Sequence, residues 1–349
     1  MNNKIFIKSF FIISFFLLFV LSVIYIISGQ YDISLNKLFD IILFELGLLH
    51  EPTFNQADRF IFFDVRIPRL LLAIVVGGGL AMAGAILQGL FRNPLIDPGF
   101  IGVSSGAAVG AIIAMVFSEY FLFYLGSSFH HFTTPIIAIL FSFLTTYTIY
   151  RISKYGNKTN VITMLLAGIA INALCGSIIG LFISFISDLE LRSFTFWTLG
   201  GLDSGENWMV VYIVSALVIL CTIFIYSIRN KLDIFMLGDE QANHLGVNVE
   251  SLKIIIILFS AIIVGISVAF CGMIGFIGLV TPHLIRLFIG PKHKYLIPGS
   301  ILLGSIILVA SDLLTRISLL PVGVITSLIG APFFIFLIIK QKNKIGYAE

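Results

Sequence analysis

The stretch that decides the fold is RIPRLLLAIVVGGGLAMAGAILQGLFRNPLIDPGFIGVSSGAAVG, residues 66–110. It contains the uncharged run 70–91, of 22 residues, and most of the next run, 98–118, of 21 residues. Each run is long enough to cross a hydrocarbon core as a helix, which takes about 20 residues. Pro94 and Pro98 interrupt the helix in the short turn between the runs, which also carries Arg92 and Asp97. The pattern predicts a helical hairpin in lipid.

The composition of the whole chain indicates the same environment. Hydrophobic residues make up 58% of the 349 residues and charged residues 11%, whereas soluble domains carry roughly 25% charged residues. Hydrophobic spans recur from one end to the other, and no polar block is long enough to fold separately. We therefore expect an all-α integral membrane protein with a single transmembrane domain over residues 1–349.

Uncharged runs along the chain predict the number of spans. There are nine: 9–31, 70–91, 98–118, 132–150, 159–187, 207–228, 254–282, 295–311 and 317–339. The seventh is too long for one ordinary span and is punctuated by glycines and Pro282. We split it near Gly272 and extend its second half to Ile289, which predicts a polytopic bundle of about ten helices. The eighth run, 295–311, is the shortest, so a helix over it would be tilted little or partly shielded by protein.

Loop charge predicts the orientation, because cytoplasmic loops are enriched in Lys and Arg. Ten helices place both termini on one side. With both termini in the cytoplasm, 15 of the 21 Lys and Arg residues fall inside. The six that remain outside are Lys37, Arg59, Arg66, Arg69, Arg192 and Arg316. These outer cations need a separate explanation.

Glycines recur at spacings typical of close helix packing. Gly102, Gly106 and Gly110 follow one another at intervals of four, as do Gly176 and Gly180. Small residues let helix backbones approach in lipid. Ordinary tight packing is therefore favoured over a pore-lining role for most of them.

Chemistry-bearing motifs are scarce. The sequence has no HExxH, no paired cysteine motif and no phosphate-binding G-x-x-x-x-G-K-[ST]. Charged residues, which would mark a proton relay or ion site, do not interrupt the runs. No catalytic residue, metal site or cofactor is predicted, so a membrane-embedded enzyme is disfavoured. A permease driven by a partner fits best, and an ion-coupled secondary transporter or channel remains the alternative.

The loop between the sixth and seventh spans has structure of its own. Its sequence, KLDIFMLGDEQANHLGVNVESLK at 231–253, places Leu237, Ala242 and Leu245 at a spacing that predicts a short helix with an apolar face. Such a helix can rest on lipid headgroups or sit in a groove of a soluble protein. The spacing favours neither.

Four segments carry a resemblance to a known family. They are residues 66–107, LGDEQANHLGV at 237–247, GMIGFIGLVTPHLIRL at 272–287 and SDLLTRISLLPVGVITSLIGAPFFIFLI at 311–338. In this order they resemble the FecCD family of ABC transporter permeases, which import iron-siderophores, haem and vitamin B12. The resemblance implies the vitamin B12 permease type of fold, with ten helices per subunit. It also implies a homodimer or a pair with a close paralogue, a cytoplasmic ABC ATPase dimer and an extracytoplasmic substrate-binding protein.

The resemblance also implies roles for particular residues. Arg66 and Arg69 in RIPR and Arg316 in DLLTR match outward-facing arginines that receive acidic residues of the binding protein. The ATPase coupling loop would comprise Leu237, Gly238, Asp239, Glu240, Gln241, Ala242, Leu245 and Gly246. The start of the fifth span, with Thr159, Asn160 and Thr163, matches the region of an inner gate.

The expected function is therefore that of the membrane-spanning permease subunit of an ABC importer in the bacterial inner (cytoplasmic) membrane. ATP hydrolysis would belong to the ATPase subunit, so this chain is not expected to be an enzyme. Iron-siderophore is favoured as the substrate because it is the commonest class for such permeases, and haem or cobalamin would fit the same residues.

Overall fold

Helices form nearly all of the regular structure in the computed structural model, which describes residues 2–29, 31, 33–49, 53–125 and 130–345. The helices are α1 (Asn2–Ile27), α2 (Leu35–Glu45), α3 (Gln56–Phe60), α4 (Ile67–Leu90), α5 (Val103–Val116), α6 (Ser118–Leu125), α7 (His130–Ser153), α8 (Val161–Ile183), α9 (Asp188–Leu199), α10 (Trp208–Ser227), α11 (Arg229–Phe235), α12 (Asp239–His244), α13 (Val249–Cys271), α14 (Ile277–Phe288), α15 (His293–Ser318) and α16 (Val322–Ile345). A π-helical turn, Ile61–Arg66, joins α3 to α4, and 3-10 turns lie at Pro98–Ile101 and Asp203–Glu206. Two short antiparallel strands, β1 (Lys154–Tyr155) and β2 (Lys158–Thr159), form a hairpin between α7 and α8.

The membrane-spanning helices agree with the predicted count of about ten. Within the described residues, seven helices are long and apolar enough to cross a membrane, including a continuous 35-residue helix from Gln56 to Leu90. The bent pair α5 and α6, which turns by 73°, is apolar and long enough only when taken together, and counted as one span it is the eighth. Two shorter apolar helices, Ile277–Phe288 and Val322–Phe336, bring the bundle to about ten.

Helix α4 is the centre of the bundle, and glycines allow its close contacts. It packs most extensively against α15, where Gly77 faces the backbone of Gly304 so closely that a Cβ on either residue would collide with the other. Farther along, Gly84 lies against the carbonyl oxygen of Gly278 in α14. These contacts let helix backbones touch directly, as is usual where lipid provides no hydrophobic drive for association.

Helices α4 and α5 are consecutive, but each packs chiefly against another helix and not against the other, unlike the predicted hairpin. Helix α5 packs chiefly on α7. A Cβ at Gly106 would meet the carbonyl oxygen of Phe141, and one at Gly110 would meet that of Ile137. The glycine faces of the two helices thus point to different neighbours. For Gly176 and Gly180 of α8, in contrast, an added Cβ would meet nothing within 4 Å, so they are not packing sites within the described part of this chain.

The predicted break in the seventh run is confirmed, since α13 ends at Cys271 and α14 begins at Ile277. The eighth span is longer than run 295–311, because α15 continues through Asp312 to Ser318. Asp312 is fully buried and paired with Arg69, so its charge does not end the helix. A count of uncharged residues stops at Asp312 and therefore underestimates the length of α15.

Helix α9 has no counterpart among the predicted spans. It lies between the fifth and sixth spans and begins with a capping box, in which Ser187 accepts from the backbone of Glu190 and Glu190 bonds back to Ser187. This S-x-x-E pattern is a helix-start signal that could have been read from the sequence.

Candidate functional site

A cavity of about 660 Å³ opens where the ends of α4, α9, α13 and α15 meet. Arg66, Arg69 and Arg316, the three arginines predicted to lie on the outer face, all line it. Asp203 and Trp197 also line the cavity. The structure thus brings together side chains that lie far apart in the sequence.

Arg66 and Arg316 both hold the end of α1. The Arg66 guanidinium donates to the carbonyl oxygens of Ile26 and Ile27, the latter at 3.0 Å. Arg316 donates to the carbonyl oxygen of Tyr25 at 3.1 Å, and its guanidinium lies 4.8 Å from the centre of the Tyr25 ring. The last carbonyls of a helix lack partners within the helix and carry partial negative charge, so cations stabilise them.

Arg69 forms a bidentate ion pair with Asp312 inside the bundle. Its Nε and Nη2 donate to Oδ2 and Oδ1 of Asp312 at 2.9 and 2.8 Å. The Tyr25 hydroxyl donates to the same carboxylate at 2.5 Å. The remaining nitrogen, Nη1, lies 2.6 Å from Asp203, whose side chain is 82% exposed. The pair connects α4, α15 and α1 at the floor of the cavity.

These arginines are less exposed than expected for outward-facing residues that receive a partner's acidic side chains. Arg66 is 1% exposed and Arg69 is 9% exposed, whereas Arg316 is half-buried. All three hold partners within this chain. Their docking role stays a prediction. Sequence reasoning missed Asp312 and Asp203, although an acidic residue in an apolar context, as Asp312 is, was itself a signal.

The predicted coupling segment lies at the opposite end of the bundle. Helix α12 lies between Gly238 and Gly246, which have φ angles of 122° and 81°. Ala242 is fully buried, whereas Leu237 and Leu245 are exposed by 62% and 59%. Ala242 thus faces the protein, while the two leucines flank the helix and are exposed, so the role of this apolar face stays a prediction. Glu240 and Gln241 are present in the short helix as expected.

Asp239 ties this segment to the bundle. Its carboxylate pairs with Lys253 of α13 at 2.8 Å and with Arg92, in the turn after α4. Burial acts to raise the pKa of Asp239, but hydrogen bonds from Lys253 and Arg92 outweigh it and hold the pKa below its ordinary value. The first residue of α12 is thus a charged attachment point.

The residues predicted for the inner gate lie near this attachment. Asn160 caps α8, since its side chain accepts from the backbone nitrogens of Ile162 and Thr163 at 2.9 and 3.0 Å. Thr159 is buried, and its backbone nitrogen donates to Glu250 at 2.8 Å. These contacts explain how α8 starts, and the gate role stays a prediction. In the described part of the chain, no group of three or more His, Cys, Asp or Glu side chains could hold a metal ion.

Comparison with known proteins agrees with this architecture. The chain is 44% identical over 296 residues to the hemin transport system permease protein HmuU of Yersinia pestis, covering 83% of this chain and 86% of that one. It is 37% identical over 285 residues to the cobalamin import system permease protein BtuC of Halobacterium salinarum, covering 81% and 74%. A solved structure of an inward-facing metal-chelate type ABC transporter superposes with a TM-score of 0.80 at 30% identity, covering 95% of this chain and 99% of that one. Residues 17–340 match the sequence model of the FecCD transport family, and the chain therefore belongs to that family.

Proposed function

We propose that this chain is the membrane-spanning permease subunit of an ABC importer, which moves a bulky metal chelate into the cytoplasm using ATP hydrolysis by a partner ATPase. The family match over residues 17–340 carries the proposal. The short helix α12, held to the bundle through Asp239, supports it because it offers an exposed structured element for a cytoplasmic partner. ATP chemistry then lies outside this chain.

A metal tetrapyrrole is the substrate class to test first. The relative of 44% identity is a hemin permease and that of 37% identity imports cobalamin, so we rank haem above the iron-siderophore favoured by the sequence alone. Haem and iron-siderophores are both rigid or folded chelates, which a pathway lined by apolar and small polar groups can pass. Selectivity between them would then lie mainly in the binding protein.

The full transporter would contain a second permease subunit, either another copy or a close paralogue, two ATPase subunits and an extracytoplasmic binding protein. In a bacterial inner membrane both termini would be cytoplasmic, since this orientation puts 15 of the 21 Lys and Arg residues inside. It places α12 on the ATPase side and the arginine-lined cavity on the side of the binding protein.

Arg316 is the arginine we assign to direct contact with the binding protein. It is more exposed than Arg66 and Arg69 and lines the cavity, and its planar fork suits a carboxylate. Arg66 and Arg69 would shape the cavity by fixing α1 and α15. An exposed pair of this kind is worth about 0.2 to 1 kcal/mol, so it would orient docking more than hold the complex.

Reconstitution tests this function. The chain, its ATPase and its binding protein are placed in liposomes, and uptake of hemin, a ferric siderophore and cobalamin is measured separately. We expect hemin uptake that needs ATP and the binding protein, stops with vanadate and survives an ionophore. Uptake that persists with vanadate and collapses with the ionophore would instead establish an ion-coupled secondary transporter.

A further inference from the structure

Lys253 occupies an unusual position for a lysine at the cytoplasmic end of the bundle. Its side chain is only 3% exposed, although it lies in the first two turns of α13. Its Nζ has three acceptors: Asp239 Oδ2 at 2.8 Å, Glu250 Oε1 at 3.0 Å and the carbonyl oxygen of Thr159 at 3.0 Å. These acceptors belong to three different segments, namely α12, α13 and β2. One ammonium group therefore joins the coupling segment to the hairpin that precedes α8.

The chemistry of lysine makes this junction difficult to loosen. An ammonium group has three N–H donors, and here each has one acceptor. A buried charge that loses a partner is strongly destabilised. If α12 moved without β2, one N–H of Lys253 would lose its acceptor while the charge stayed buried. The two segments are thereby favoured to move together.

Glu250 strengthens the same connection from the other side. Its Oε1 accepts from Lys253, and its Oε2 accepts from the backbone nitrogen of Thr159 at 2.8 Å. Both backbone polar groups of Thr159 are thus held by the Lys253–Glu250 pair. Thr159 directly precedes Asn160, which caps α8. The position of the α8 N-terminus consequently follows from that of this ion pair.

Arg92 provides a second attachment for α12. It pairs with the other oxygen of Asp239, donates to the carbonyl oxygen of Phe235 at 3.0 Å and lies 4.6 Å from the centre of the Phe235 ring. Arg92 follows α4, the central helix, and has a left-handed backbone with φ of 48°. A non-glycine residue in this conformation is held there by its surroundings. Asp239 therefore stands between a link to the turn after α4 and a link to α8.

From this arrangement we infer that Asp239 and Lys253 transmit displacement of α12 to the cytoplasmic end of α8, so that Lys253 is a positioning residue for coupling. The inference rests on the proposed function, in which α12 contacts the ATPase. It assigns the transmission to two side chains and to the backbone of Thr159. The side chain of Thr159 is not required for it.

The test compares Lys253→Met with Lys231→Met in the complete reconstituted transporter. Lys231 is an exposed lysine of α11 in the same cytoplasmic region and serves as the matched control. We expect Lys253→Met to keep assembly and ATP hydrolysis but to lower uptake per ATP hydrolysed by about tenfold, within the range usual for coupling between sites. Lys231→Met should match the unmodified protein. An unchanged ratio in Lys253→Met would overturn the inference.

A distance measurement separates transmission from simple structural support. Spin labels are placed at Leu245, which is 59% exposed, and at Tyr155, which is 89% exposed, after the three native cysteines are replaced. With Lys253 present, we expect the distance between the labels to stay the same when ATP binds; in Lys253→Met it should change or broaden. Equal behaviour of the two proteins would refute transmission.

Different results distinguish failure of the transport function from failure of the role of Lys253. Loss of ATP-dependent uptake in the unmodified transporter would reject the proposed function itself. If Lys253→Met does not assemble, the same distance measurement on Asp239→Asn, whose side chain is 43% exposed, decides the inference by the same criterion.

Discussion

Replacing Asp312 by asparagine should destabilise the protein strongly while hardly changing the shape of the side chain. The carboxylate is fully buried and receives three hydrogen bonds, from Arg69 Nε at 2.9 Å, from Arg69 Nη2 at 2.8 Å and from the Tyr25 hydroxyl at 2.5 Å. An asparagine amide group has one NH₂, so at either orientation it points a donor at a guanidinium donor. The Arg69 charge then keeps only the exposed Asp203 as its ionic partner among the described residues.

The magnitude follows from the burial of the pair. Removing one partner of a buried ion pair costs about 3–5 kcal/mol, and the remaining bond to Asp203 favours the lower value. We expect the free energy of unfolding to fall by about 3 kcal/mol, which is about a hundredfold in the folding equilibrium. Unfolding in mixed micelles can be followed by maleimide labelling, because Cys175, Cys221 and Cys271 are all buried.

Two further variants test the role of the buried Arg69–Asp312 pair. Asp203→Asn removes the exposed partner and should cost less than about 1 kcal/mol. The double variant Arg69→Met with Asp312→Leu removes both charges and should be more stable than Asp312→Asn, since apolar replacement of a buried pair is often neutral. A cost below about 1 kcal/mol for Asp312→Asn, or a double variant that is no more stable than it, would contradict the assigned role of the pair.

Three other predictions follow from the contacts described. Gly84→Ala places a Cβ against a neighbouring backbone carbonyl and should lower the thermal midpoint by many degrees, whereas Gly176→Ala, which meets nothing within 4 Å, should leave it unchanged; equal midpoints would refute the close crossing. Arg316→Glu should weaken binding-protein affinity and reduce its dependence on salt, measured by surface plasmon resonance, while Arg151→Glu, at an exposed position on the side proposed to be cytoplasmic, should not; unchanged affinity would reject the docking role. The pKa of Asp239 lies below its ordinary value, so its stabilising contribution is fully present above about pH 4 and is lost as the pH falls through the depressed pKa. The stability difference between the unmodified protein and Asp239→Asn should therefore stay constant from about pH 5 to about pH 8 and shrink in stronger acid, and a difference that titrates near neutrality would contradict this.

The number of spans could be predicted because apolar length is a direct requirement of the bilayer. Glycines around Gly272 correctly indicated where the long seventh run divides into α13 and α14. The end of α15 could not be predicted from uncharged runs, since Asp312 is neutralised by a residue more than two hundred positions earlier in the chain. The packing partner of each helix could not be predicted either, because a glycine-rich face does not specify which helix packs against it.

For the candidate sites, the sequence supplied positions whose roles stay predictions. The arginines and the coupling segment were found through their resemblance to a family, which identifies positions but not their surroundings. Burial of Arg66 and Arg69 depends on the ends of α1 and α15. The link from Asp239 through Lys253 to Thr159 joins three separate stretches, and only the folded chain places them together.

The mutual fit of Gly77 and Gly304 restricts how the protein can rearrange. Each backbone occupies the space where the other residue would carry a side chain, so α4 and α15 cannot slide along one another without a steric clash. We expect these two helices to form a stationary frame during a transport cycle. Helix α8 has one comparable crossing within the described part of this chain, where a Cβ at Gly168 would meet the carbonyl oxygen of Phe100, while an added Cβ at Gly176 or Gly180 would meet nothing within 4 Å; fluorescence or spin-label studies should therefore compare motion of its Gly176–Gly180 part with that of the frame.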